Sequence, residues 1–437
     1  MTDIGSIVRI RNLPIRTTRV RSIDEAACDN SPVAATRVGA RVSPKLASVA
    51  TISVLPSGLS YDVETDGFEG SFSASKLIVS LPDERFESKQ MTVTLPDRIE
   101  SMVALEDLLS EPDQEVVSTL SQVEGDIAVI GAGGKMGPSL ARMVRRGFDR
   151  AGKQSQRVFA VSRFTDPKLH EEFKSHGVIP IRADMLNPSH VSVLPAASVV
   201  FAMAGLKFGT SEDASATWAT NVLLPAAICR RFPQSKIVAF SSGNIYGLVS
   251  SQSRGSKVGD PLKPQGEYAT TVLGRERVYE HYAKSAGTPS VLLRLNYAVE
   301  MRYGVLVDIA RKVSSGEPID SGIGVVNVIW QGDANRMAIR SLTLADALTS
   351  KLNIAGDAPV AIRHVAQQFA ECFGTTASVV GDEHAQAFLN DASESYERIG
   401  GPTVSTTQMI TWIANWMDRK MPQWDLPTHF ENQSGDF

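Results

Sequence analysis

The spacing of apolar residues changes character several times along the chain. Between Ala47 and Leu95, short stretches rich in Val, Ile, Phe, Tyr and Thr (TISVL, LSYDV, KLIVSL, MTVTL) are separated by Pro, Gly, Asp and Ser, which predicts a small antiparallel β unit over 46–97. From Arg98 to Val123 the leucines and valines of SMVALEDLL and EVVSTLSQV recur at helical spacing, broken at Pro112 and Asp113. This predicts two short helices forming a connection over 98–123. From Asp126 onward the apolar runs DIAVI, RVFAVS, VIPIRA, SVVFAMAG, KIVAFSS and SVLLRL alternate with amphipathic stretches of helical length. Such alternation predicts an α/β fold, a doubly wound parallel sheet covered by helices on both faces, over 124–300. After about Val299 the pattern turns more helical and less regular, and a smaller C-terminal subdomain is expected over 301–420. It ends in the helix TWIANWMDR and a polar tail over 421–437, with Trp412, Trp416 and Trp424 expected in core or subunit packing. Residues 1–45, rich in arginine and poor in large apolar residues, read as a flexible basic arm.

Composition narrows the partners. Of 437 residues, 43% are hydrophobic and 21% charged, as in an ordinary soluble globular protein. The net charge of -4 supplies no global field for nucleic acid or an anionic membrane, so neither partner is expected. Cys28, Cys229 and Cys372 are odd in number and never form a C-x-x-C pair, which argues against a disulfide framework and a thiolate metal site. No stretch of about 18 apolar residues and no signal-peptide core is visible, so a cytoplasmic protein is expected. His170, Glu171 and Glu172 begin like a zinc-protease helix, but Lys174 stands where the second histidine would be, and no metal site is expected.

The strongest chemical signal follows DIAVI at once. Gly131, Ala132, Gly133, Gly134, Lys135, Met136 and Gly137 lead into Pro138 and the helical stretch SLARMVRRGF. A strand, a tight glycine turn and a helix N-terminus let backbone amides approach a diphosphate, which the helix dipole also favours. Dinucleotide binding is therefore expected at Gly131, Gly133, Gly134, Lys135, Met136 and Gly137. After the second predicted strand, where an acid would hold the ribose 2′-hydroxyl of NAD, stand Ser162 and Arg163. A guanidinium suits a 2′-phosphate, so NADP is favoured over NAD.

The spacing Gly131, Gly134, Gly137 resembles that of the extended short-chain dehydrogenase/reductases, the NAD(P)-dependent epimerase/dehydratase family. Further landmarks follow in the family's order. Asp184 and Met185 in IRADM resemble the segment that lies near the adenine, and Ala204 and Gly205 in VVFAMAG the cofactor-lining turn after the fourth strand. Asn221 in WATNVLLPAAI resembles the asparagine of the next helix, and VAFSSGNIYG the fifth-strand motif. RLNYA, with Arg294 and Asn296, resembles the stretch that opens the substrate subdomain, and VNVIWQGDANRMAI, with Asp333, a later strand-to-helix segment. The resemblance covers about Gly125 to Phe373 and implies a Rossmann-like sheet.

It also implies that Ser242 and Tyr268 contact the reacting oxygen and that Asn244, Arg294 and Asn296 bind substrate. The family's lysine four residues after the tyrosine is replaced by Val272, although Glu276 keeps the register. Valine supplies no positive charge to a phenolate, so Lys207 in MAGLKFG is a candidate substitute, with Lys135 behind it. The implied activity is an NAD(P)-dependent oxidoreductase or epimerase acting on a sugar, sugar acid or nucleotide sugar, in a homodimer. Two alternatives stay open: a non-redox lyase or isomerase retaining the dinucleotide, and a non-catalytic NADP(H)-sensing protein.

Overall fold

The computed structural model describes residues 95–432 apart from 211, 347, 348 and 425. The basic arm and nearly all of the β unit expected over 46–97 lie outside the described residues. The described residues form one compact unit.

Two helices open the described chain, α1 (Met102–Leu109) and α2 (Gln114–Ser121), each started by a side-chain cap. The Ser101 hydroxyl accepts from Ala104 N, and the Asp113 carboxylate accepts from Val116 N. Then come β1 (Ile127–Ile130), α3 (Gly137–Arg150), β2 (Val158–Ser162), α4 (Pro167–Ser175), β3 (Ile179–Arg182), α5 (Pro188–Ser192) and β4 (Val199–Ala202). They are followed by α6 (Ala214–Trp218), a single π turn (Ala219–Leu223), α7 (Leu224–Arg231), β5 (Lys236–Ser242) and the long α8 (Gly266–Ala286). Strands β1 and β4 are buried along their whole length, as continuous apolar runs in a parallel sheet require. In α3, Leu140, Val144 and Phe148 recur every four residues and form its buried stripe.

Seven strands form one parallel sheet, in the order Ser350–Ile354, Ser290–Leu295, β5, β4, β1, β2, β3. Strand β3 lies at the edge, where Pro180 is tolerated. Chain order reverses direction at β1, which pairs with β2 on one side and β4 on the other. A crevice therefore opens beyond the carboxyl ends of β1 and β4, the place where doubly wound sheets bind ligands.

The sheet does not end at residue 300. Its outermost strand, Ser350–Ile354, comes from the segment expected to form the substrate subdomain, paired with Ser290–Leu295. Its sequence SKLNI is short and half polar because this edge is partly exposed, so no continuous apolar run marks it. The rest of 301–420 holds α9 (Val305–Ser315), α10 (Gln331–Arg340), α11 (Ile362–Phe373), α12 (Ser393–Ile399) and α13 (Thr406–Asp418). A second core forms there around Trp330, Trp412, Trp416 and Phe369, and it takes in Leu105 and Leu109 of α1. The tail is packed as well: Phe430 and Thr428 are buried.

Candidate active site

A cleft holding about 1170 Å3 of empty space, part of it open to solvent, lies at the switch point. One wall is the glycine loop between β1 and α3. Gly131 has φ +87°, and a Cβ there would come within 2.5 Å of Ala204 N on the loop after β4. A Cβ on Gly137 would collide with the Ala132 carbonyl, and one on Gly133 would meet Ser162 Oγ at 2.5 Å. Gly131 and Gly137 meet backbone atoms and are required by the protein's own packing, whereas at Gly133 only the Ser162 hydroxyl would have to turn away. Gly134 is different: it is exposed, and an added Cβ would meet only the Gly131 carbonyl, at 3.3 Å. A side chain at 134 asks the Gly131 carbonyl to give by a few tenths of an ångström, a smaller demand than at the other three, whereas it would block a diphosphate lying against the loop.

The opposite end carries Ser242, Asn244, Tyr268 and Asn296. Ser242 ends β5; its hydroxyl accepts from Asn244 N at 3.2 Å and lies 3.3 Å from Asn244 Oδ1. Asn296 Nδ2 donates to Asn327 Oδ1 at 2.7 Å and to the Phe388 carbonyl at 3.3 Å, so much of its donor capacity is spent within the protein. Tyr268 is the third residue of α8, whose Arg275 and Glu276 bond to Phe240 and Ser241 of β5. Asn221 lies beneath this end in the π turn, fully buried. Its amide donates to Leu206 O and Thr271 Oγ1, and its Oδ1 accepts from Leu206 N and Arg275 Nη2.

Three cations, Lys135, Lys207 and Arg275, line the cleft among the described residues, and no carboxylate does. Lys135 Nζ donates to the Ala298 carbonyl at 2.6 Å and lies 4.1 Å from the centre of the Tyr303 ring. Burial pulls its pKa down to about 7, the Glu300 carboxylate opposing this and the Lys207 charge adding to it. Lys207 is likewise pulled down to about 8 by burial, Asp308 opposing. Both acids are engaged elsewhere: Glu300 with Arg302 at 2.9 Å, and Asp308 with Thr428 N and Oγ1 at 2.8 and 2.6 Å. The Asp308 contact brings the C-terminal segment to the cleft wall, and His429 next to it lies 6.2 Å from Phe208, centre to centre.

Other expected site residues stand outside this wall. Gly133, Ser162, Arg163, Asp184 and Met185 lie in the glycine loop and at the carboxyl ends of β2 and β3, along the same sheet edge; Arg163 is exposed and Met185 buried. The Asp184 carboxylate accepts from Leu186 N and so caps its own turn. Ala204 backs Gly131. Arg294 is placed away from the cleft: it pairs with Glu276 at 2.8 and 3.0 Å and donates from Nη1 to Tyr246 OH and the Val258 carbonyl. Its donors are committed inside the protein, and it is a structural arginine here rather than a substrate ligand. Tyr303, Thr428 and Arg275 line the cleft without having been singled out from the sequence. Only Arg275 carried a signal, since it follows Tyr268 at helical spacing.

Residues 127–332 match the model of the NAD dependent epimerase/dehydratase family. Among solved structures, UDP-glucuronic acid 4-epimerase from Bacillus cereus, in complex with UDP-glucuronic acid and NAD, is 18% identical, with a TM-score of 0.56 over 68% of this chain and 99% of its own. UDP-glucose 4-epimerase from Thermotoga maritima, with UDP-glucose, is 15% identical, with a TM-score of 0.57 over 68% and 99%. dTDP-glucose 4,6-dehydratase from Bacillus anthracis, in complex with NAD, is 16% identical, with a TM-score of 0.57 over 68% and 97%. No curated protein matches the chain. With its parallel sheet, a glycine loop at the switch point and the match over residues 127–332, the Rossmann unit of this chain is similar to the NAD dependent epimerase/dehydratase family.

Proposed function

We propose that this chain is an NAD(P)-dependent oxidoreductase or epimerase acting on a sugar, sugar acid or nucleotide sugar through transient oxidation of a carbinol. The observation that carries the reading is the sharing of one cleft by the open Gly134 loop at one end and by Ser242 and Tyr268 at the other. The residues present fit a nicotinamide dinucleotide. Gly134 leaves room that the protein itself does not use, the α3 N-terminus favours phosphate, and the cationic wall suits an anionic ligand. A bound nicotinamide supplies the hydride acceptor.

The chain does the rest. The Ser242 hydroxyl holds the substrate oxygen, and Tyr268, entering as the phenolate, takes the proton of that oxygen and returns it when the carbinol re-forms. Asn244 and Asn296 orient the ring, and Lys207 and Lys135 hold anionic groups. The exposed Arg163 after β2 supports a 2′-phosphate and hence NADP. The neighbours solved with UDP-glucose and with UDP-glucuronic acid and NAD support a nucleotide sugar as the substrate class.

A panel of sugars, sugar acids and nucleotide sugars, followed by NMR for altered stereochemistry and by absorbance for reduced cofactor, tests the reading. Tyr268→Phe should abolish turnover. Full activity in that variant would transfer the assignment to lyase or isomerase chemistry. Tight dinucleotide binding without turnover across the panel would favour the sensor, for which the valine at 272 already speaks.

A further inference from the structure

A buried cation in the floor of the cleft has no assigned role. Arg275 is 7% exposed and lines the cleft together with Tyr268, seven residues earlier on α8 and thus two turns along on the same face. Helix side chains lean toward the N-terminus, which carries the guanidinium back toward Tyr268. Val272, between them, is fully buried in a small apolar cluster with Ile245 and Tyr246 and offers no charge.

The oxygens that accept from Arg275 are neutral. Nη1 donates to the Phe240 carbonyl at 2.8 Å, Nη2 to Asn221 Oδ1 at 2.5 Å, and Nε weakly to the Asn221 carbonyl at 3.5 Å. Glu276, next in sequence, spends its carboxylate on Arg294 and on Ser241 Oγ at 2.6 Å. A buried guanidinium that pairs with no carboxylate among the described residues is costly to keep, because neutral acceptors offset its desolvation only in part.

Two neighbours are nonetheless shaped around it. A Cβ on Gly205 would collide with Nη2. The π turn Ala219–Leu223 presents both the backbone and the side-chain oxygen of Asn221 to the same guanidinium, and single π turns of this kind recur at functional sites.

We infer that Arg275 is the fixed positive charge at the reaction end of the cleft, supplied from position 275 where position 272 has none, and that it biases the site toward the reduced form of a bound nicotinamide dinucleotide. The inference rests on the dinucleotide reading given above. Its physics is simple: the oxidised nicotinamide ring is positively charged and the reduced ring is neutral, so a nearby fixed cation in a partly desolvated cleft disfavours only the oxidised form. At separations on the order of 10 Å this changes the ratio of the two affinities by about tenfold. A role confined to holding β5 and the π turn together would alter both affinities alike.

Calorimetric titration of the full chain with NAD and with NADH decides the matter. In Arg275→Gln the ratio of the NAD to the NADH dissociation constant should fall about tenfold, whereas Arg275→Lys, which keeps the charge, should stay within about twofold of the wild type. If the glutamine variant fails to fold, Arg275→Met, better suited to burial, carries the same expectation. A ratio unchanged in a folded neutral variant overturns the inference while leaving the dinucleotide site intact. Wild-type protein that binds neither form overturns the dinucleotide reading itself, and the inference with it.

Discussion

Gly134 and Lys135 are neighbours in one loop, and each answers to the empty space beside it. A side chain at Gly134 would press only on the Gly131 carbonyl, and Lys135 reaches across to Ala298 and Tyr303 with its charge desolvated. The lysine has a consequence for stability. Its ammonium titrates at about 7 in the folded protein against 10.5 as an ordinary lysine, so between those values the unfolded chain binds more protons than the folded one. Folding stability attributable to this group therefore rises as pH climbs from about 7 to 10.5, and below about 7 the buried charge is a cost. Urea unfolding of wild type and Lys135→Met across that range should show the wild type gaining on the variant as pH increases. A difference that does not vary with pH would contradict this placement of the ammonium. The loop's glycines could be read from the sequence because their spacing is dictated by backbone approach; the lysine's burial could not, since it depends on Ala298 and Tyr303, more than 160 residues away.

Helix α8 and the two central strands beside it are held together by charge as well as by apolar packing. Arg294 and Glu276, 2% and 0% exposed, form a bidentate pair, and Ser241 of β5 donates to the same carboxylate. This places Ser242, one residue on, against the helix that carries Tyr268. Removing one partner leaves the other charge buried without compensation, so Arg294→Met should cost about 3–5 kcal/mol of stability. Dinucleotide affinity of the folded fraction should change little, since Arg294 does not line the cleft. Chemical denaturation paired with calorimetry checks both parts, and a variant of unchanged stability would refute them. The RLNYA stretch singled out Arg294 as a substrate ligand, whereas its donors go to Glu276, Tyr246 and the Val258 carbonyl. What spacing alone could not tell is that its side chain turns toward α8 rather than toward a ligand. Strands β1, β2, β4 and β5 were legible as apolar runs because both their faces are covered, whereas Ser350–Ile354 at the edge has a polar residue at nearly every second position and no such run.

Taken as a molecule, the described chain brings three distant stretches to one crevice: the loop at 131–137, the β5 to α8 region, and the C-terminal segment, which Asp308 holds through Thr428. The first two follow from the order of strands and motifs. The third does not, because a polar tail gives no periodicity from which docking could be inferred, and Thr428 becomes visible only once α9 positions Asp308. The family match and the fold account for the sheet and the loop; the cationic wall, without a carboxylate among the described residues, comes from Lys135, Lys207 and Arg275. All of it presupposes that the cleft takes a nicotinamide dinucleotide. Calorimetric titration of wild type and Gly134→Val with NAD and NADP, alongside thermal unfolding of both proteins, settles that point. The wild type should bind, NADP the more tightly, and the variant should lose at least about tenfold in affinity. Its unfolding temperature should hardly change, because only the Gly131 carbonyl lies near the new side chain. Equal binding by both proteins, or binding by neither, would contradict it.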